Sequence, residues 1–227
     1  MALVQDKKAG PFSAADLRCR ARGVLATPEQ RIALAYDAPS VCSEFELNPE
    51  LEALTQGEHK RPAAVLIPVI ERGGCASILF TQRSEHLNAH AGQISFPGGK
   101  KEPGDANLAE TALREAREEI GLAPEYIEMV GFLDDYIMST GYRISPLIAI
   151  LREGYSLNPD RNEVSDIFDV PLSHLMDVKN YETHTREWRG AKRLFYAIPY
   201  GNRFIWGATA GMLRNLCDWL YVTDSNS

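Results

Sequence analysis

The strongest helical pattern in this chain runs from about Asn107 to Ile120, inside the segment FPGGKKEPGDANLAETALREAREEIGL, Phe96 to Leu122. At about 100° per residue, Ala109, Ala112, Leu113, Ala116 and Ile120 share one apolar face. Most of these side chains are small, so the helix backbone can approach a neighbouring layer closely. A helix with one such face has to be covered, and the flanking sequence offers strands to cover it.

AAVLIPVI (Ala63 to Ile70) and CASILFTQR (Cys75 to Arg83) are separated by Glu71-Arg72-Gly73-Gly74 and predict a hairpin. Further strands are predicted near Tyr126 to Leu133, Tyr142 to Leu151, Val178 to His184 and Arg193 to Ile198. Asp166 to Met176 is expected to include a short helix, and Trp206 to Tyr221 to form a terminal helix packing through Leu213, Leu216, Cys217 and Leu220. Without regular strand–helix–strand repetition, the expected fold is α/β of the α+β type, an α/β/α sandwich with a mixed sheet.

The 227 residues are too many for a minimal domain and too few to require two cores, so one large domain with an extension is expected. Residues 1–60 read as a helical N-terminal extension packed on the core, and 61–222 as the main domain. In the extension Ser13 caps a helix over Ala14 to Arg22, a second begins after Pro28, and a third crosses Pro49 to Thr55 behind Asn48.

A net charge of −7 argues against general affinity for nucleic acid polymers or anionic membranes. No apolar run reaches the roughly 20 residues that span a bilayer, and MALVQDKKAG lacks a signal-peptide core, so a cytoplasmic location is expected. Cys19, Cys42, Cys75 and Cys217 are too scattered for a CxxC site or a disulfide scaffold.

On the same helix Glu115, Glu118 and Glu119 occupy one edge within about 100° of arc. Three carboxylates there repel one another unless a cation neutralises them, and hard oxygen ligands suit Mg²⁺ or Mn²⁺. The preceding FPGGK turn can bring a backbone carbonyl alongside, and a metal so held suits phosphoryl chemistry. The competing reading is a solvated face of alternating acids and bases; the adjoining turn and the Gly121 stop weigh against it.

Taken together these residues resemble the Nudix hydrolase family. Its motif runs Gly, five residues, Glu, seven residues, then Arg-Glu-apolar-any-Glu-Glu-any-Gly-apolar. Here Gly99 begins it and Arg114-Glu115-Ala116-Arg117-Glu118-Glu119-Ile120-Gly121-Leu122 ends it. Asp105 stands at the first acidic position, with eight residues rather than seven before Arg114. The resemblance implies a Nudix-like sandwich, with Glu115 and Glu119 as principal metal ligands. Glu118 would ligate or orient, Gly99 would offer its carbonyl, and Arg114 would brace the carboxylates.

LFTQRSEHLNAHAGQISFPGG, Leu79 to Gly99, is similar to the added signature of the coenzyme A diphosphatase branch, through Thr81, Arg83, Ser84, Gly92 and FPGG. Ser139 to Tyr142, Pro146, Asn162 to Val164, Val170 to Leu172 and Ile205 to Ala210 also resemble that branch. Asn88 departs from it, standing where the signature carries arginine. The implied reaction is attack of metal-activated water on the diphosphate of CoA or acyl-CoA, giving 3',5'-ADP and (acyl-)4'-phosphopantetheine.

The implied partner is thus a small anionic diphosphate, with a homodimer expected for the protein itself. Arg83 suits a phosphate clamp and equally a structural salt bridge. Glu163 would orient water or ligate a distal metal, or is an ordinary exposed glutamate. Tyr142 and Trp206 suit adenine stacking or packing. Lys100 and Lys101 suit phosphate attraction or a solvated turn, and His86 and His90 suit loop hydrogen bonding better than zinc. The alternatives are a Nudix hydrolase of ADP-ribose or a dinucleoside polyphosphate, and a non-catalytic nucleotide-binding module.

Overall fold

The fold is described from a computed structural model, covering residues 10–33, 42–50, 60–87, 90–188 and 191–222. In chain order it begins with α1 (Ala14–Ala21), α2 (Pro28–Ala33), β1 (Cys42–Ser43), β2 (Arg61–Arg72), β3 (Cys75–Arg83), β4 (Ile94–Ser95), β5 (Gly98–Lys100) and α3 (Leu108–Ile120). It continues with β6 (Ile127–Phe132), β7 (Tyr136–Ile137), β8 (Tyr142–Leu151), β9 (Val164–Pro171), α4 (Leu172–Leu175), β10 (Glu182–Trp188), β11 (Ala191–Tyr200), β12 (Arg203–Trp206) and α5 (Ala208–Leu220).

Among the described residues one nine-stranded sheet forms the centre, along the path β1-β7-β8-β2-β3-β4. β5 and β6 pair additionally with β2 and β8, and β9 with β3. β2 runs parallel to β8, from Arg61 opposite Tyr142 to Val69 opposite Ile150, whereas β2 and β3 are antiparallel, so the sheet is mixed. The β2–β3 connection closes at Arg72 opposite Cys75, leaving Gly73 and Gly74, both at positive φ, as the two-residue turn.

β2 explains why its sequence is apolar without alternation. Ala64, Leu66 and Ile70 join the layer beneath α3, while Ile67 and Val69 join the layer beneath α1 and α5. Both faces are covered, so both sets of alternating positions are hydrophobic. Ala109, Ala112, Ala116 and Ile120 seat α3 on its layer, and Leu17, Leu213 and Leu216 hold the opposite helices. Ile120 is fully buried, and its truncation to alanine should cost about 2–5 kcal/mol.

The N-terminal region contributes more than surface helices. α1 begins at Ser13, whose Oγ accepts from Asp16 N at 3.1 Å, and its Leu17 is fully buried. β1 joins the sheet in parallel with β7, and Ala26 exchanges hydrogen bonds with Phe132. Pro49 and Glu50 are helical; the remainder of the third expected helix lies outside the described residues.

The short helix expected within Asp166 to Met176 forms at Leu172–Leu175, after residues 164–171 pair with β3 as a strand, from Ser77 opposite Pro171 to Arg83 opposite Val164. Two local expectations change. Val178–Asn180 form a 3-10 turn, with Asp177 capping Lys179 N, and the strand there starts at Glu182. Trp206 closes β12, and the terminal helix starts at Ala208, after Gly207 at positive φ. In each case long-range pairing overrides a short local pattern.

Candidate active site

α3 is set by its ends. Asn107 Oδ1 accepts from Glu110 N at 3.0 Å, and Gly121, in the left-handed region, donates to the Ala116 and Arg117 carbonyls. The next loop returns to the helix C-terminus, where Asn158 N donates to Ile120 O at 2.8 Å and Asp160 N to Glu119 O at 3.0 Å. Glu163 follows on this loop, held by its carbonyl accepting from Ser84 N at 2.9 Å.

One helical turn apart, Glu115 and Glu119 meet the β5 backbone. Gly98 N donates to Glu119 Oε2 at 3.3 Å, and a Cβ placed on Gly99 would lie 2.6 Å from Glu115 Cδ. A Cβ on Gly98 would lie 2.7 Å from Val65 Cα. The paired glycines therefore let β5 fit between β2 and the two carboxylates.

Glu119 is 5% exposed, and its pKa is pushed up to about 7. Burial is the main cause; the Arg83 charge and the Gly98 N–H oppose it, while Glu115 and Glu163 add to it. Glu115 is also raised by burial, against the opposing charge and hydrogen bond of Arg114.

Arg114 connects the site. Its Nε and Nη2 grip Asp105 at 2.9 and 3.1 Å, Nη1 reaches Glu115 at 3.0 Å and Glu118 at 2.9 Å, and Nη2 also donates to the Lys100 carbonyl at 3.1 Å. Asp105 further accepts from Thr111 Oγ1 and Glu102 N, and Arg114 chiefly holds its pKa down at about 2. Asp105 thus anchors the arginine that anchors the glutamates.

Arg83 approaches from β3, with Nη1 3.5 Å from Glu119 Oε1, while its buried Nε has no partner among the described residues. Glu118 is more exposed and turned to Arg114, and among the described residues no three acidic, imidazole or thiol groups converge on one point.

Other candidates disperse. Lys101 Nζ donates to the Asp105 carbonyl at 2.6 Å, and the exposed Lys100 contributes its carbonyl. Tyr142, at the start of β8, lies under the Arg61 guanidinium at 4.2 Å, and Trp206 packs on Phe195 at 5.3 Å. His90 Nδ1 pairs with Gln93 Oε1 at 2.7 Å, and His86 is exposed in a turn, so the two share no helix face. Asn88 lies outside the described residues.

Sequence reasoning did not anticipate the Asn158–Asp160 clamp or the bracing role of Asp105. The Asp160–Asn162 turn, in which Asp160 Oδ1 accepts from Asn162 N at 2.9 Å, was the only local signal for the clamp.

The NUDIX domain model matches residues 59–195. The chain belongs to the Nudix hydrolase family. The uncharacterized Nudix hydrolase NudL of Citrobacter koseri is 37% identical over 175 residues, 77% of this chain and 90% of the relative. The protein of the same name from Yersinia enterocolitica is 35% identical over 181 residues, 79% of this chain and 91% of its own.

Solved Nudix folds resemble it more distantly. A Caenorhabditis elegans Ap4A hydrolase binary complex gives a TM-score of 0.44 at 20% identity, covering 53% of this chain and 87% of that one. A MutT protein from Methanosarcina mazei gives 0.43 at 17%, covering 75% and 99%. As a Nudix hydrolase the chain is an enzyme of phosphoric anhydride bonds, acting on nucleoside diphosphate derivatives. No helix among the described residues is long and apolar enough to cross a membrane.

Proposed function

We propose that this enzyme hydrolyses the diphosphate bond of coenzyme A or an acyl-CoA, with Mg²⁺ or Mn²⁺, to 3',5'-ADP and (acyl-)4'-phosphopantetheine. The observation that supports this reading most is the approach of Arg83, from the CoA-type signature, to Glu119 on the carboxylate edge. The Thr81 hydroxyl pairs with Ser95, and Ser84 Oγ donates to the Arg161 carbonyl at 3.2 Å, so other residues of that signature hold the loops around Arg83.

Nudix hydrolases generally use divalent metal ions. The donor set fits a hard cation: Glu115 and Glu119 are charged oxygens in a desolvated place, deficient in positive charge, beside the Gly98–Gly99 backbone. Glu115, Glu119, Glu118 and the Gly99 carbonyl would hold the ion, which supplies Lewis-acid polarisation of the phosphoryl oxygens.

Arg114 keeps Glu115 and Glu118 oriented through its anchor on Asp105. Glu163 orients the attacking water or serves a second ion. Arg83 directs its guanidinium to the phosphates, with Lys100, Tyr142 and Asn88 as further substrate contacts. Division into a 1–60 extension and a 61–222 hydrolase domain, a cytoplasmic location and a homodimer belong to the same proposal; light scattering tests the dimer.

Asn88 favours a second reading, in which ADP-ribose or a dinucleoside polyphosphate is the better substrate. Parallel assays of CoA, acetyl-CoA, ADP-ribose, NADH and diadenosine polyphosphates, with products identified by mass, decide between them. CoA as the poorest substrate by kcat/KM ends the first reading.

A further inference from the structure

The strands β10, β11 and β12 form a three-stranded antiparallel sheet of their own, with β11 in the middle. β10 pairs with β11 along its whole length, from Glu182 opposite Ala197 to Trp188 opposite Ala191, without a register shift. Among the described residues no strand lies along its other side, and Glu182, Thr183, Thr185, Arg186 and Glu187 are all exposed. Such a seven-residue edge presents a row of outward-facing backbone groups to any strand that fits it. Proline, lysine and bulges, which commonly blunt edges of this kind, are absent from Glu182–Trp188.

The charges along β10 are unevenly served within the chain. Glu182 Oε2 pairs with His184 Nε2 at 2.7 Å, and Glu187 stands opposite Lys192. Arg186 stands opposite Arg193, a like charge whose own carboxylate is Glu44. The β11 residues nearest to it in register, Leu194, Arg193 and Lys192, offer it no acid. Like charges directly opposite across two strands are unfavourable.

The segment ETHTR, Glu182 to Arg186, carries the missing acid on a second copy of itself, because its charges and hydroxyls are arranged symmetrically about His184. A two-fold axis through His184, perpendicular to the sheet, runs two β10 strands antiparallel with the same face up. Glu182 then lies opposite the partner's Arg186, and Thr183 opposite the partner's Thr185, each twice. Opposite charges and threonine pairs are favourable cross-strand pairs. Centring on Thr185 instead sets His184 opposite the partner's Arg186 and loses both ion pairs, so the charges select one register.

The aromatic face agrees with that register. His184 stacks on Phe195, its neighbour across the ladder, at 5.9 Å, and Phe204 meets it edge-on at 5.4 Å while remaining 41% exposed. With His184 opposite the partner's His184, the row of rings continues across the axis to the partner's Phe195.

We propose that β10 is a self-association edge: two copies of the chain pair antiparallel through Glu182 to Arg186 and join their three-stranded sheets into one. This rests on the homodimer reading and gives it a surface. A single short ladder is small beside standard interfaces of roughly 1,200–2,000 Å², so a concentration-dependent dimer with Kd in the micromolar range is expected.

Analytical ultracentrifugation of the full chain across the micromolar range, with charge reversals on β10, tests it. Arg186→Glu and Glu182→Arg each set like charges opposite one another twice, and each should raise Kd about tenfold or more. The double variant Glu182→Arg/Arg186→Glu, and an equimolar mixture of the two single variants, restore opposite charges and should bring Kd back to within about threefold of wild type. Melting temperatures should stay close to wild type, since the substituted side chains are exposed. On wild type, with no substitution needed, hydrogen exchange of the β10 amides should slow as concentration rises. Wild type that stays monomeric overturns both the homodimer reading and the edge. A dimer indifferent to the single reversals, one restored by neither the double variant nor the mixture, or β10 exchange unchanged on dimerisation overturns the edge alone and leaves the homodimer standing.

Discussion

Glu115 occupies the space that any side chain at Gly99 would need: a Cβ there would stand 2.6 Å from the carboxylate carbon. Helix and loop are thus fitted to each other at one point, and that point carries the proposed chemistry.

Gly99→Ala should displace the Glu115 carboxylate, the movable end of a flexible side chain, more readily than it disturbs β5. We expect kcat to fall on the order of 100-fold, as for an approximately 1 Å misplacement, with Tm lowered by only a few degrees. Steady-state kinetics beside differential scanning calorimetry checks this; wild-type kcat would show that the carboxylate position is immaterial.

Glu119→Gln should reduce kcat on the order of 100-fold or more, because a charged ligand becomes neutral. Stability should move oppositely. The folded pKa of Glu119, about 7, stands above the ordinary 4.5, so ionisation between those values costs stability as pH rises. With divalent ions chelated, Glu119→Gln should melt above wild type at pH 8 and close to it at pH 4. Equal melting temperatures at pH 8 would contradict the buried charge.

Asp105→Asn should weaken the Arg114 anchor. The folded pKa, about 2, lies below the ordinary 3.8, so this carboxylate stabilises the fold above about pH 4 and loses its effect as pH falls through 2. A loss of about 2 kcal/mol at pH 7 is expected, the scale of a charge-assisted hydrogen bond, shrinking toward pH 2. Urea unfolding across that range measures it.

Asn88→Arg restores the charge that the CoA-type signature carries. On the CoA reading it should raise kcat/KM for CoA over ADP-ribose by about tenfold, the worth of one charge-assisted contact. An unchanged ratio would separate position 88 from substrate choice.

The carboxylate edge was legible because it is local. Glu115, Glu118 and Glu119 share an edge by helical period alone, and Gly121 ends the helix by its positive φ. The β2–β3 hairpin and the extent of β8 were legible for the same reason: runs of apolar residues bounded by turn residues. β9 was not, because its short, acid-dotted run becomes a strand only once β3 lies beside it. Arg114 was read as a brace through resemblance, but the place of Asp105 beneath it required the loop to close over nine residues.

The sequence by itself thus determined the mixed α/β character, the family and the row of acids, all properties of nearest neighbours along the chain. Only the tertiary structure decided that Arg83 meets Glu119 across 36 positions, that the Asn158–Asp160 loop clamps the same helix, and that Asp105 anchors Arg114. Those relations depend on strand register and on which buried polar groups find partners. Both are settled by the packing of distant segments, which no local period encodes.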